Sequence, residues 1–172
     1  NTLNFPSFDI DQLIADIKNK SQQHNNAILK LIVTRGEGER GYKSSDNAIA
    51  NIVFIFSERK FDLDSDDLKS VSLRLCKTPV STNSALAGLK HLNRLENVMA
   101  RNEWDDEIFD EGLMFDSENN LIEATSANIF LLKDNTLYTP NLENSGILGV
   151  VREIVIDVAE TLSLPIKITK IN

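Results

Sequence analysis

The sequence predicts an α+β fold, because short β-strands occur in pairs and only a few segments have helical spacing. Two runs rich in β-branched and other apolar residues, 27–34 and 49–57, predict one pair of strands, and two hairpins are predicted between residues 112 and 139. Apolar residues recur at the spacing of an amphipathic helix in three segments: 10–17, 91–103 and 149–162. This pattern favours strand pairs with helices over a doubly wound parallel sheet.

Local signals justify each element. Asp9 followed by Gln12 is typical of a helix start. An alternating run predicts a strand at 71–76, and turn residues at 117–120 and 134–135 predict hairpins. The hairpin strands are expected at 112–115, 121–124, 128–132 and 136–139. The last helix is expected to run from Gly149 to Leu162, before a strand at 166–171, and to bury Val151, Ile154, Val155, Val158 and Leu162.

A polar segment is predicted to divide the chain into two parts. A length of 172 residues suits one domain or two small ones. Residues 58–69 are strongly charged, which is typical of a linker. We therefore predict an N-terminal α/β lobe at 1–60, a linker at 61–70 and a second lobe at 71–172.

Composition excludes several classes of function. The net charge of −8 makes nucleic acid an unfavourable partner. The single cysteine, Cys76, cannot form an internal disulfide, so we expect a reducing compartment, the cytoplasm. Apolar runs are too short to predict a membrane span, and one cysteine with two distant histidines predicts no metal site.

Lys90 is the leading candidate for covalent chemistry. It stands in the apolar-periodic segment 87–98, after a glycine and between two leucines, where the sequence predicts the mouth of a helix. A desolvated lysine amine loses its proton more readily and can attack a carbonyl to form a Schiff base. Considered alone, a lysine of this kind is better explained as a solvated surface residue.

Glu123 ends a predicted strand and is followed by small polar residues. A buried glutamate that faces a pyridine nitrogen keeps this nitrogen protonated and makes the ring an electron sink. Thr125, Ser126 and Asn128 could line a polar ligand. Without further context, an ordinary β-turn explains the same residues.

Two glycine-containing loops are candidate anion sites. The segment 145–152 runs from a loop into a helix, where the free amides of Val150 and Val151 could bind a phosphate. Arg35 and Arg40 lie in a glycine-rich loop and could bind carboxylates bidentately. A plain helix start and a solvated hairpin tip are the alternatives.

The order of these motifs resembles a known family. The chain contains, in this order, Gly-Leu-Lys-His-Leu-Asn-Arg-Leu-Glu, Ile-Glu-Ala-Thr-Ser-Ala-Asn-Ile-Phe, Leu-Tyr-Thr-Pro and Gly-Ile-Leu-Gly-Val-Val-Arg. This set resembles the fold-type IV pyridoxal phosphate enzymes, which include branched-chain and D-amino-acid aminotransferases and aminodeoxychorismate lyase. The first motif, with Arg-Gly-Glu-Gly-Glu-Arg-Gly-Tyr before it, looks most like the lyase subfamily.

The resemblance implies a two-lobed fold and a role for each motif. Lys90 would hold pyridoxal 5′-phosphate as a Schiff base, Glu123 would pair with the pyridinium nitrogen, and Arg35 or Arg40 would meet substrate carboxylates. The resemblance also places six further residues around the cofactor: Ser126, Ala127, Asn128, Ile147, Val150 and Val151. It implies a homodimer with the active site between two lobes.

The implied reaction is the elimination of pyruvate from 4-amino-4-deoxychorismate, which gives 4-aminobenzoate for folate biosynthesis. The alternatives are an aminotransferase acting on D-amino or branched-chain amino acids, and an inactive fragment or non-catalytic α+β module. Since family members carry further segments at both ends, we expect the N-terminal lobe and the C-terminal end to be incomplete here and this form to be inactive.

Overall fold

The computed structural model describes residues 3, 5–38, 40–58, 70–105 and 107–172. It forms two compact units, Asn1–Asp67 and Leu68–Asn172, which are described separately. Apart from Ser70, the linker predicted at 61–70 lies outside the described residues, so the division into 1–60, 61–70 and 71–172 stays a prediction.

The described residues of the first unit form one helix and one strand pair. Helix α1 (Ile10–Ser21) precedes the antiparallel strands β1 (Ala27–Thr34) and β2 (Asn51–Glu58). The Asp9 carboxylate accepts a hydrogen bond from the Gln12 amide at 2.9 Å, which caps the first turn of α1. The predicted helix start and strand pair are confirmed.

In the second unit, the part of the chain that the structure describes forms two small mixed sheets and two helices. Its first sheet consists of β3 (Leu73–Leu75), β4 (Glu111–Phe115) and β5 (Leu121–Ala124), and its second of β6 (Leu131–Lys133), β7 (Thr136–Pro140) and β8 (Ile166–Thr169). The helices are α2 (Leu95–Arg101) and α3 (Val150–Thr161). In each sheet one strand pair is antiparallel and the other parallel. The predicted hairpins and the α+β fold are confirmed.

The hydrophobic core of the second unit lies against β4 and β5. A cluster of buried side chains forms it: Val80, Ala100, Met114, Ile122 and Leu142. All four residues of β5 are buried, so side chains that point to both sides of this strand are covered. Glu123 is one of the four, which places a carboxylate inside the protein.

Helix α3 corrects one expectation. Its buried residues are Arg152 and Ala159, each no more than 4% exposed. The predicted burial of the apolar stripe is wrong for most of its members: Val151 72% exposed, Ile154 53%, Val158 49% and Leu162 71%, with Val155 half-buried. The reason is that α3 docks through small Ala159 and through the Arg152 side chain, which donates to the Thr139 hydroxyl at 3.4 Å and to the Pro140 carbonyl at 3.1 Å.

None of the helices in the described part of the chain has the length and apolar content needed to cross a bilayer.

Candidate active site

A short parallel bridge joins the Lys90 segment to the loop that precedes α3. The Gly88 amide donates to the Gly146 carbonyl at 2.9 Å, and the Leu148 amide donates to the Gly88 carbonyl at 3.1 Å. Because Lys90 follows Gly88 by two residues, this pair of hydrogen bonds places the lysine next to the loop.

Glycine is required on both sides of the bridge. Gly88 has φ +79° and Gly146 has φ +80°, in the left-handed region that side chains disfavour. A Cβ atom at Gly146 would lie 2.9 Å from both Ile122 Cγ2 and Leu142 Cδ2, and 3.1 Å from Glu123 Oε2. Gly146 therefore allows the loop to pack closely onto β5.

Glu123 has one carboxylate oxygen occupied and one free. The side chain is buried, and its Oε2 accepts a hydrogen bond from the Ile147 amide at 2.8 Å. Oε1 is also buried, and among the described residues it has no hydrogen-bond partner. Burial raises the pKa of Glu123 above its ordinary value, while the Ile147 amide, the charge of Arg94, the nearby Asn97 side chain and the charge of Lys90 oppose part of this shift. An unpaired buried acceptor is costly, so this site favours a ligand with an N–H or O–H donor.

Lys90 is exposed and lies in an irregular segment, five residues before α2 begins at Leu95. The prediction that it stands at the mouth of a helix is therefore wrong. Proline is absent here, and what keeps the segment out of the helix is its bridge at Gly88 together with the Arg94 side chain, which donates to the Leu89 carbonyl at 2.5 Å. The amine remains accessible to a ligand.

Asn128 supports the loop from its other side. Its Nδ2 donates to the Ile147 carbonyl at 2.8 Å, and its Oδ1 lies 2.2 Å from where a Cβ atom of Gly149 would be. Gly149 is the N-cap of α3, and no side chain caps the helix there. The first-turn amides, which begin at Val150, have no partners within the helix and can donate hydrogen bonds to an anionic ligand.

Ser126 and Ala127 make hydrogen bonds that hold their own turn. The Ser126 hydroxyl donates to Glu111 Oε2, and the Ala127 carbonyl accepts from the Ala124 amide at 2.7 Å. The Thr125 hydroxyl also donates to Glu111. Sequence reasoning missed Glu111, because no local pattern connects a residue at the start of β4 with the turn that follows β5.

The two candidate carboxylate-binding arginines belong to the first unit. Arg35 donates to the carbonyls of Leu3 at 3.4 Å and Ser45 at 3.3 Å, and Arg40 is exposed. Their role at the site stays a prediction. The described residues include no group of three or more His, Cys, Asp or Glu side chains suited to a metal ion.

Comparison with known proteins identifies the family. The amino-transferase class IV family matches residues 1–172, which is the whole chain. The chain belongs to this family. The aminodeoxychorismate lyase of Vibrio harveyi is 32% identical over 158 residues, covering 91% of the chain and 58% of the lyase.

Two further relatives show how widely the class IV fold is used. The crystal structure of 4-amino-4-deoxychorismate lyase from Pseudomonas aeruginosa matches with a TM-score of 0.90 and 36% identity, over 99% of the chain and 63% of that protein. The D-alanine aminotransferase of Listeria monocytogenes is 30% identical over 79 residues, covering 46% of the chain and 27% of that enzyme. The chain thus spans less than two thirds of the length of these class IV relatives.

The residues present fit the pyridoxal phosphate on which class IV enzymes depend. The free, buried Glu123 Oε1 matches a ring N–H donor, and the accessible Lys90 amine matches an aldehyde. The uncapped start of α3 matches a phosphate. The bridge between Gly88 and Ile147 connects the segments that carry Lys90 and the start of α3.

Proposed function

We propose that the protein containing this chain is a pyridoxal phosphate-dependent lyase that converts 4-amino-4-deoxychorismate into 4-aminobenzoate and pyruvate, a step of folate biosynthesis. The observation that carries the proposal is the buried Glu123 carboxylate with one free oxygen, in a loop tied to the Lys90 segment. The likeness to the lyases of V. harveyi and P. aeruginosa supports this choice within the family.

Each site residue has a distinct task in this proposal. When bound, pyridoxal phosphate supplies an electron sink that stabilises negative charge on a substrate carbon. Glu123 Oε1 accepts the ring N–H and keeps the ring nitrogen protonated. Lys90 Nζ would hold the cofactor through its aldehyde and, once free, would take the proton from the substrate ring carbon. The same amine returns a proton as the enolpyruvyl group leaves as pyruvate, and proton transfer of this kind contributes roughly 10²–10⁴-fold to a rate.

The remaining predicted residues bind and orient. The Val150 and Val151 amides would hold the phosphate, Ile147 would contact the ring, and the turn at 126–128 would line the cofactor. Arg35 or Arg40 would pair with substrate carboxylates, since arginine binds carboxylates bidentately. We also propose that the enzyme acts as a cytoplasmic homodimer.

Transamination is the second candidate. It uses the same lysine and glutamate, and the identity with the L. monocytogenes D-alanine aminotransferase over 79 residues favours it. Release of pyruvate and 4-aminobenzoate from 4-amino-4-deoxychorismate distinguishes the lyase from an enzyme that moves amino groups from D-alanine or a branched-chain amino acid to a keto acid.

A lysine variant tests the assignment of the site. In the full-length protein incubated with pyridoxal phosphate, we expect Lys90→Ala to abolish the visible band of lysine-bound cofactor and to reduce turnover by at least the roughly 10²-fold that a lost general base costs. The matched control is Lys133→Ala, because Lys133 is an exposed lysine on β6. Persistence of the band in Lys90→Ala would show that another group binds the cofactor.

A further inference from the structure

One carboxylate collects the hydrogen bonds of the turn that follows β5. Glu111 accepts from the Gly112 amide at 2.8 Å, from the Thr125 amide at 3.2 Å and from the hydroxyls of Thr125 and Ser126. We call Glu111, Thr125 and Ser126 the Glu111 corner. Burial alone would raise the pKa of Glu111, but the donors at Ser126, Thr125 and Gly112 outweigh it and lower the pKa. The group is therefore a carboxylate, with acceptors only.

The hydroxyl protons of the Glu111 corner determine which hydrogen-bonding groups remain for a ligand. A hydroxyl group has one proton to donate and two lone pairs to accept with. The Thr125 and Ser126 hydroxyls both use their proton in a hydrogen bond to Glu111. Hydrogen bonds to a charged acceptor are the stronger kind, so a neutral or anionic ligand does not easily redirect them. Toward a ligand, both hydroxyls present lone pairs.

A phosphate or carboxylate oxygen is also an acceptor, so it gains no hydrogen bond from these hydroxyls. The amides at the start of α3 are donors, and they belong to a different segment. The two segments thus have opposite hydrogen-bonding character although both approach Glu123: the Ile147 amide reaches it from one, and Thr125 follows it by two residues in the other.

We propose that Glu111 is a positioning residue that turns the Thr125 and Ser126 hydroxyls into acceptors, so that the Glu111 corner receives an ammonium or hydroxyl donor of the ligand and not its phosphate. The proposal rests on the proposed function in one respect: it takes the turn at 126–128 as part of the cofactor site. It divides that site into a donor-lined end for the phosphate and an acceptor-lined end for a hydrogen-bond donor.

The first test needs no cofactor. In full-length protein labelled with ¹³C at the glutamate carboxyl carbons, we expect Glu111 to titrate below an ordinary glutamate. In the double variant Thr125→Val and Ser126→Ala, we expect the pKa of Glu111 to move up. An ordinary pKa for Glu111, or a pKa that the double variant does not move, would overturn the proposal.

The second test compares two probes that differ only in the phosphate, pyridoxal 5′-phosphate and pyridoxal. Ser126→Ala is expected to change the ratio of the dissociation constant of pyridoxal 5′-phosphate to that of pyridoxal by less than about twofold, because the hydroxyl donates no hydrogen bond to the phosphate. If Ser126 donated to the phosphate, losing this hydrogen bond to a charged group would raise the dissociation constant of pyridoxal 5′-phosphate relative to that of pyridoxal by roughly tenfold or more, and that result would refute the proposal.

A carboxylate variant completes the design. Glu111→Gln is expected to weaken both probes together, while Glu107→Gln weakens neither. Equal binding of both probes by Glu111→Gln and the unsubstituted protein would show that Glu111 does not position the turn. If even the unsubstituted protein gives no spectral change with pyridoxal phosphate, the proposed function fails, and the carboxyl titration still decides the role of Glu111.

Discussion

Substituting Gly146 by alanine probes both the stability and the site of the second unit. The residue has φ +80°, which costs an alanine about 1–2 kcal/mol. Its new Cβ would lie 2.9 Å from Ile122 Cγ2 and Leu142 Cδ2, two side chains of the buried core. Overpacking of a well-packed core costs typically about 1–3 kcal/mol. We therefore expect Gly146→Ala to lower the free energy of unfolding by about 2–5 kcal/mol.

Gly88→Ala is the matched control for the core contact. Gly88 has nearly the same φ, +79°, but its Cβ would meet the Leu148 side chain, which is 48% exposed and can move aside. The control is expected to lose only the backbone contribution, about 1–2 kcal/mol. Urea unfolding followed by the fluorescence of Trp104, the single tryptophan and a residue of the second unit, measures both variants. A loss in Gly146→Ala no larger than that in Gly88→Ala would refute the packing argument.

Two predictions concern carboxylates. Burial raises the pKa of Glu123 in the folded state, so the contribution of this group to stability is present at low pH and is lost as pH rises through that pKa. Glu123→Gln should therefore make the cofactor-free protein more stable at neutral pH. The same variant should bind pyridoxal phosphate less well. An unchanged pH profile of unfolding in this variant would contradict the assignment. Burial alone would raise the pKa of Glu103, but hydrogen bonds from the Lys77 amide and from Thr78 lower it, so its contribution is present at neutral pH and is lost on acidification. Glu103→Ala is expected to cost about 1.5–3 kcal/mol at pH 7 and much less at low pH, by urea unfolding at both values; an equal cost at both would argue against a carboxylate role.

Local signals in the sequence predicted local structure well. Asp9 caps α1, and the β-branched run at 27–34 forms β1, because capping and strand preference depend on neighbouring residues. The Glu123 turn and the loop before α3 were predicted as site candidates in the same way, from small polar residues and glycines next to each other in the sequence.

Features set by distant contacts could not be predicted. Which side of α3 is buried depends on where β7 ends, because Arg152 bonds to Thr139 and Pro140 there. Glu111 meets Thr125 and Ser126 only after β4 and β5 have paired. A single sequence contains no periodicity that connects such positions.

The bridge between Gly88 and Ile147 also has a consequence for how the protein folds. The two segments that it joins are far apart in sequence, so the entropy of closing a long loop must be overcome before the bridge can form. Contacts of this kind form slowly compared with hairpins such as β6–β7. We therefore expect the Lys90 segment to join the loop before α3 late, after the sheets have formed, so that the lysine-bound cofactor band appears during refolding only after secondary structure has recovered. Only completely folded protein would then bind the cofactor, and partly folded chains would not react with it.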